Sequence, residues 1–229
     1  LIPTATAEII DLRYGAPRWR QTSSMNFPRS DLTLVTLPTG QVLAIGGNQA
    51  RDTTYGLPHN PDETTRVLAA EMGTPADGQW TTLASMQTFR GYHSGAVLLP
   101  DGRVYVGGGG KKDHFTDHST AEIFSPPYLF QGARPTIRSA PDLVHYGQSF
   151  TVQSPEAALV TRVSIVKLPS MTHSLNMNQG FGFLSFQLVD GAVRVTSPTN
   201  ANAYTPGHYM LFLLRGGVPS PAKIIRLLE

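Results

Sequence analysis

The 229 residues contain no cysteine. No disulfide, thiolate metal site or cysteine nucleophile can therefore form within the chain, although this alone does not fix a compartment. Charge is also sparse. Charged residues make up 15%, with 18 Lys+Arg against 16 Asp+Glu, a net charge of +2. A phosphate backbone calls for a dense basic stripe, and Lys111-Lys112 is too short to be one, so a nucleic-acid partner is not expected. No run of 18 apolar residues occurs, so no helical membrane span is expected. The start, Leu1-Ile2-Pro3-Thr4, has no Met and no basic-then-apolar leader, and reads as the interior of a longer polypeptide. The glycines at 107–110 are not followed by GK[ST], and no G-x-S-x-G is present. These absences exclude a P-loop and a nucleophile elbow.

Turn formers, by contrast, are plentiful. Twenty-two Gly and 18 Pro punctuate short apolar runs, a pattern of short strands and tight turns. The first half contains an internal repeat. One copy runs Ser24-Met25-Asn26-Phe27-Pro28-Arg29, an apolar run at 32–37, Pro38-Thr39-Gly40, a second apolar run at 42–45, then Gly46-Gly47. The other runs from Ser85-Met86 to Arg90, then 94–99, Pro100-Asp101-Gly102, 103–106 and the glycines at 107–110. Trp19 and Trp80 precede the two copies and read as packing residues. Each copy predicts two antiparallel strands joined by a Pro-x-Gly turn, a third at 66–69 or 121–124, and, after the first, a fourth containing Trp80. The polar stretch 48–63 reads as a long loop. Four short antiparallel strands per unit is the pattern of a propeller blade. The second copy lacks a fourth strand, so a partial ring completed by another segment is expected.

From about residue 133 the repeat stops. Strands are predicted at 148–153, 162–168, 183–189, 192–197, 209–214 and 223–228, with turns at Asp190-Gly191, Thr205-Pro206-Gly207 and Arg215-Gly216-Gly217. Six or seven strands in this length suggest an immunoglobulin-like sandwich. The expected architecture is thus all-β: propeller blades over residues 1–130 and a sandwich over 131–229. A single large all-β domain is the alternative.

Three stretches carry a resemblance. They are the run from Arg90-Gly91-Tyr92-His93-Ser94 to Pro100-Asp101-Gly102-Arg103, then Met171-Thr172-His173-Ser174-Leu175-Asn176-Met177-Asn178-Gln179, and Pro206-Gly207-His208-Tyr209 with Val218-Pro219-Ser220. In order and spacing they resemble the galactose oxidase and glyoxal oxidase family of copper-radical oxidases. The part resembled is the last Kelch-type blades of a seven-bladed β-propeller plus the immunoglobulin-like domain that follows.

The resemblance implies one copper ion. It implies Tyr92 as axial ligand and proton acceptor, and His93 and His173 as imidazole ligands. A Tyr–Cys radical cofactor is expected from a segment absent here, since the chain has no Cys. It also implies oxidation of a primary alcohol, aldehyde or carbohydrate with O2 to give H2O2. The enzyme would be secreted, or periplasmic, and active only when an N-terminal propeller portion joins it as partner. Tyr92 otherwise reads as a strand-end aromatic, and His93 and His173 as ordinary histidines. His114-x-x-x-His118 reads as a loop of solvated histidines rather than a metal site. The competing function is a noncatalytic propeller and sandwich module that binds carbohydrate or cell-wall material.

Overall fold

The computed structural model describes residues 2–13, 15–49, 65–110 and 116–228. The predicted loop at 48–63 (with His59), Lys111-Lys112 and His114 falls largely or wholly outside these residues. Among the described residues the elements are strands and short 3-10 turns such as Pro127–Phe130 and Ala157–Leu159.

The first half forms three antiparallel sheets. Strands β1 (Glu8–Ile10) and β2 (Trp19–Gln21) pair as a hairpin. Strands β3 (Thr33–Thr36), β4 (Val42–Ile45), β5 (Ala69–Thr74) and β6 (Gln79–Ser85) follow one another in a four-stranded sheet. Strands β7 (Ser94–Leu98), β8 (Val104–Gly108) and β9 (Ala121–Phe124) form a three-stranded sheet. The two copies of the repeat are therefore two separate sheets. The third strand of the first copy lies at Ala69–Thr74, several residues beyond the predicted 66–69. Trp80 lies against Gly73 on the neighbouring strand, whereas Trp19 is 64% exposed and is not a core residue.

The expected Kelch-type propeller is corrected here. Among the described residues the two-, four- and three-stranded sheets do not close into a ring. The reason lies in what they pack against. Val35, Leu37, Leu43, Ala96, Leu98 and Val106 share one core with Val166, Met210, Phe212 and Leu214 from the second half.

The second half is a sandwich. One sheet runs β10 (Leu143–His145), β20 (Lys223–Leu228), β18 (Gly207–Arg215), β12 (Arg162–Lys167), β15 (Phe181–Leu184), with β19 (Val218–Pro219) beside β18. The other runs β11 (Ser149–Gln153), β17 (Ala192–Thr196), β16 (Phe186–Val189). The predicted strand at 183–189 is two strands in different sheets, divided at Ser185. Strand β18 explains why the halves form one body. Successive side chains point to opposite faces. Tyr209, Leu211 and Leu213 enter the sandwich core with Val152, Val193 and Val195, while Met210, Phe212 and Leu214 enter the core shared with the first half. A strand buried on both faces reads as a continuous apolar run, and Tyr209-Met210-Leu211-Phe212-Leu213-Leu214 is one. The junction is also polar: Ser164 Oγ donates to the Pro38 carbonyl at 2.8 Å.

Candidate metal centre

Two turns, one from each half, meet at one carbonyl. The first lies between Arg90 and β7. Ser94 N donates to Gly91 O at 2.9 Å, closing a β-turn with Tyr92 and His93 at its centre. His93 has φ +61°, a conformation usually reserved for glycine or asparagine at that place. The second turn joins β13 (Met171–Thr172) and β14 (Leu175–Asn176), an antiparallel pair. Its two central residues, His173 and Ser174, have φ +49° and +64°. That is the signature of a type I′ hairpin turn, where Asn-Gly is the common choice. Left-handed backbone at three non-glycine residues costs on the order of 1–3 kcal/mol each, and such strain gathers at functional sites. The buried Ser174 hydroxyl donates to the same Gly91 carbonyl at 3.1 Å, tying the hairpin to the first turn.

The result brings three aromatic rings together. The ring centroids of Tyr92 and His93 lie 4.0 Å apart, those of His93 and His173 4.8 Å apart, and those of Tyr92 and His173 5.9 Å apart. Tyr92 is half-buried, while His93 and His173 reach solvent. His93 Nδ1 is 2.9 Å from the Gly110 carbonyl. A carbonyl only accepts, so Nδ1 carries a proton, and in the neutral ring Nε2 is then the nitrogen with the lone pair. His173 Nδ1 lies 2.6 Å from the Thr172 hydroxyl.

The donor set suits a divalent copper ion: imidazole nitrogen and phenol oxygen favour its tetragonal N/O coordination. A backbone carbonyl on the far ring nitrogen, as Gly110 O stands to His93 Nδ1, is the usual support of a ligating histidine. Among the described residues no group of three or more His, Cys, Asp or Glu could hold a metal. The cluster has two histidines, and its third donor is a phenol.

The other singled-out histidines do not join it. His118 sits edge-on to Phe89 at 6.1 Å, His145 ends β10 and His208 lies in β18. The sequence reading missed three supports of the site. Ser174 bridges the turns, Gly110 holds His93, and the buried Arg90 precedes the first turn. Ser174 and Arg90 lie inside the quoted motifs, but only the fold reveals their partners.

A cleft of about 500 Å3 also lies between the halves, lined by Thr39, Gln41, Tyr128, Thr161 and Arg162 among others. None of the three clustered rings lines it.

Comparison with known proteins bears on both halves. Residues 4–128 match the family model described as glyoxal oxidase N-terminus. Residues 134–227 match the model described as galactose oxidase-like, Early set domain. A galactose oxidase of Gibberella zeae is 31% identical over 225 residues, 90% of this chain and 30% of that protein. An aldehyde oxidase of Vitis pseudoreticulata is 32% identical over 229 residues, 92% of this chain and 43% of that protein. A solved fungal alcohol oxidase of the AA5 family, in complex with copper, superposes with a TM-score of 0.88 at 28% identity. It covers all of this chain, which spans 49% of its length. The chain thus spans less than half of each of these relatives.

These matches correct four expectations. Residues 4–128 are matched as an N-terminus, so the chain is not the C-terminal part of such an oxidase. The supposed dependence of its activity on missing N-terminal blades falls for the same reason. So does the N-terminal propeller portion expected as partner. The alternative of a noncatalytic propeller and sandwich module falls with the propeller. Among the described residues no helix is long and apolar enough to cross a membrane.

Proposed function

Because the chain belongs to the copper-radical oxidase family of galactose and glyoxal oxidases, we propose that Tyr92, His93 and His173 together bind one copper ion in an oxidase of an alcohol or aldehyde that uses O2. The observation that carries this is the convergence of three rings within 4.0–5.9 Å, with the His93 tautomer already fixed. At the level of the family, copper as cofactor is supported by the solved relative in complex with copper. Kinship with fungal galactose oxidases supports an extracellular location at the same level.

When bound, copper supplies Lewis acidity and a one-electron redox couple. The chain's own residues do the rest. His93 offers Nε2 because Gly110 holds Nδ1. His173 approaches from the second half, held by Ser174 at Gly91. Tyr92, as the phenolate, would be the group placed to take the hydroxyl proton of an alcohol and become the phenol, since its ring lies beside both imidazoles and a proton acceptor must be within hydrogen-bond reach. A Tyr–Cys radical cofactor requires a sulfur that residues 1–229 do not contain. Its cysteine would have to come from outside them.

The test is Cu(II) affinity in the full-length protein. His173→Ala is expected to weaken binding at least tenfold while leaving the fold intact, because His173 is exposed on a two-strand hairpin. Unchanged Cu(II) affinity in that variant would remove His173 from the site.

A further inference from the structure

Arg90 is fully buried two residues before Tyr92. Its counterpart in the first copy is Arg29, 3% exposed. Each pairs with a glutamate at the same place on the third strand of its sheet, Glu71 opposite Ala44 and Glu122 opposite Val106. The pairs differ in how well they are satisfied. Arg29 Nε and Nη2 both reach Glu71 Oε2, at 3.1 and 2.6 Å, and Nη1 and Nη2 reach the carbonyls of Gly46 and Ala69 at 2.8 and 2.7 Å. Arg90 is poorer: Nη2 lies 3.6 Å from Glu122, and Nε is buried with no acceptor among the described residues. A buried guanidinium left partly unsatisfied is a poor stabilising device.

What Arg90 does hold is the strap that carries the site. Its Nη1 donates to Gly108 O at 2.9 Å and its Nη2 to Thr120 Oγ1 at 3.0 Å. Two residues beyond Gly108, Gly110 donates its N–H to Tyr92 O at 2.9 Å and accepts from His93 Nδ1 at 2.9 Å. Gly110 has φ +118°, and a Cβ there would lie 2.4 Å from Asp117 Oδ1 and 2.6 Å from its Cα. Glu122 fixes the near side as well, accepting from Gln87 N at 2.8 Å and Thr88 N at 3.0 Å.

We propose that Arg90, anchored by Glu122 and Thr120, is a positioning residue that sets the Tyr92–His93 turn through the 108–110 strap, whereas the matching Arg29–Glu71 pair serves the fold alone. This rests on the copper reading of the site. Outer partners of this kind typically change metal affinity 10–100-fold when lost.

The experiment uses the full-length protein, Cu(II) as the probe, a chelator-competition titration for affinity, and the EPR spectrum of the bound ion. Glu122→Gln and Thr120→Ala are expected to weaken Cu(II) about tenfold and to change the copper hyperfine splitting. Thr120 is exposed, so that variant tests the clamp even if Glu122→Gln folds poorly. Glu71→Gln is expected to lower the denaturation midpoint while its folded protein keeps wild-type affinity and spectrum. Wild-type affinity and spectrum in both Glu122→Gln and Thr120→Ala overturn the clamp. So does an equal loss of affinity in Glu71→Gln. Wild-type protein that shows no Cu(II) site overturns the proposed function itself.

Discussion

The loops that leave Arg29 and Arg90 begin on the same scaffold and end differently. In both, the arginine reaches the carbonyl of the glycine that closes the second strand, Gly46 or Gly108. The glycine lies 17 positions beyond the arginine in the first copy and 18 in the second. The additional residue falls between the arginine and the left-handed residue that follows it, Asp31 two positions after Arg29 but His93 three after Arg90, where Gly91 and Tyr92 stand. In the first copy a single left-handed residue, Asp31 at φ +56°, turns the chain into β3. In the second, His93 takes that role and Tyr92 is carried ahead of it. One inserted residue thus converts a structural turn into one that offers two donor side chains. The copies are also joined: Gly47 N donates to the Arg90 carbonyl at 2.7 Å, and a Cβ on Gly46 would lie 2.4 Å from that same oxygen.

The sharpest way to break this comparison is to remove each glutamate. Arg29 and Glu71 side chains are both 0% exposed. Burial pushes the Arg29 guanidinium below its usual value, against the pull of Glu71, so the pair is costly to split. Glu71→Ala leaves a buried charge unpaired and is expected to destabilise by about 3–5 kcal/mol, read from urea unfolding. Glu122 is 25% exposed, and water can replace much of what it gives. Glu122→Ala is expected to cost only about 1–2 kcal/mol. Equal losses would mean that the two pairs do the same job.

A smaller effect concerns acid. Burial alone would raise the Glu122 carboxyl, but the N–H groups of Gln87 and Thr88 and the Arg90 charge hold it below its ordinary 4.5. A depressed carboxylate contributes stability that is present above its unfolded value and lost as pH falls through its folded one. Unfolding midpoints measured downward from about pH 5 should therefore fall less steeply in Glu122→Ala than in wild type. Parallel curves would show that Glu122 is not a source of acid sensitivity.

Much of this was legible in the chain. Pro-x-Gly turns, short apolar runs and the Arg90-to-Arg103 stretch give the strands of both copies close to where they lie, and the apolar run at 209–214 marks the strand shared by two cores. The arrangement of the sheets was not legible, and the expected ring was wrong, because strand count within a unit does not encode how units are arranged. Here the sheets pack on the sandwich through Val166, Met210 and Phe212. Glu71 was missed because the third strand of the first copy was set at 66–69, short of it; Glu122 lay within the predicted 121–124, but only the fold brings Arg90 beside it. Tyr92, His93 and His173 could be named from their motifs, yet the histidines stand 80 positions apart and the chain between them carries no local sign of contact. The left-handed His173-Ser174 turn and the Gly91 carbonyl make it.

The central claim is that imidazoles from both halves meet at one ion. Pulsed EPR of the Cu(II)-loaded full-length protein counts bound imidazoles through their remote nitrogens. The account predicts two in wild type and one in each of His93→Ala and His173→Ala. Two imidazoles retained in either variant would contradict it.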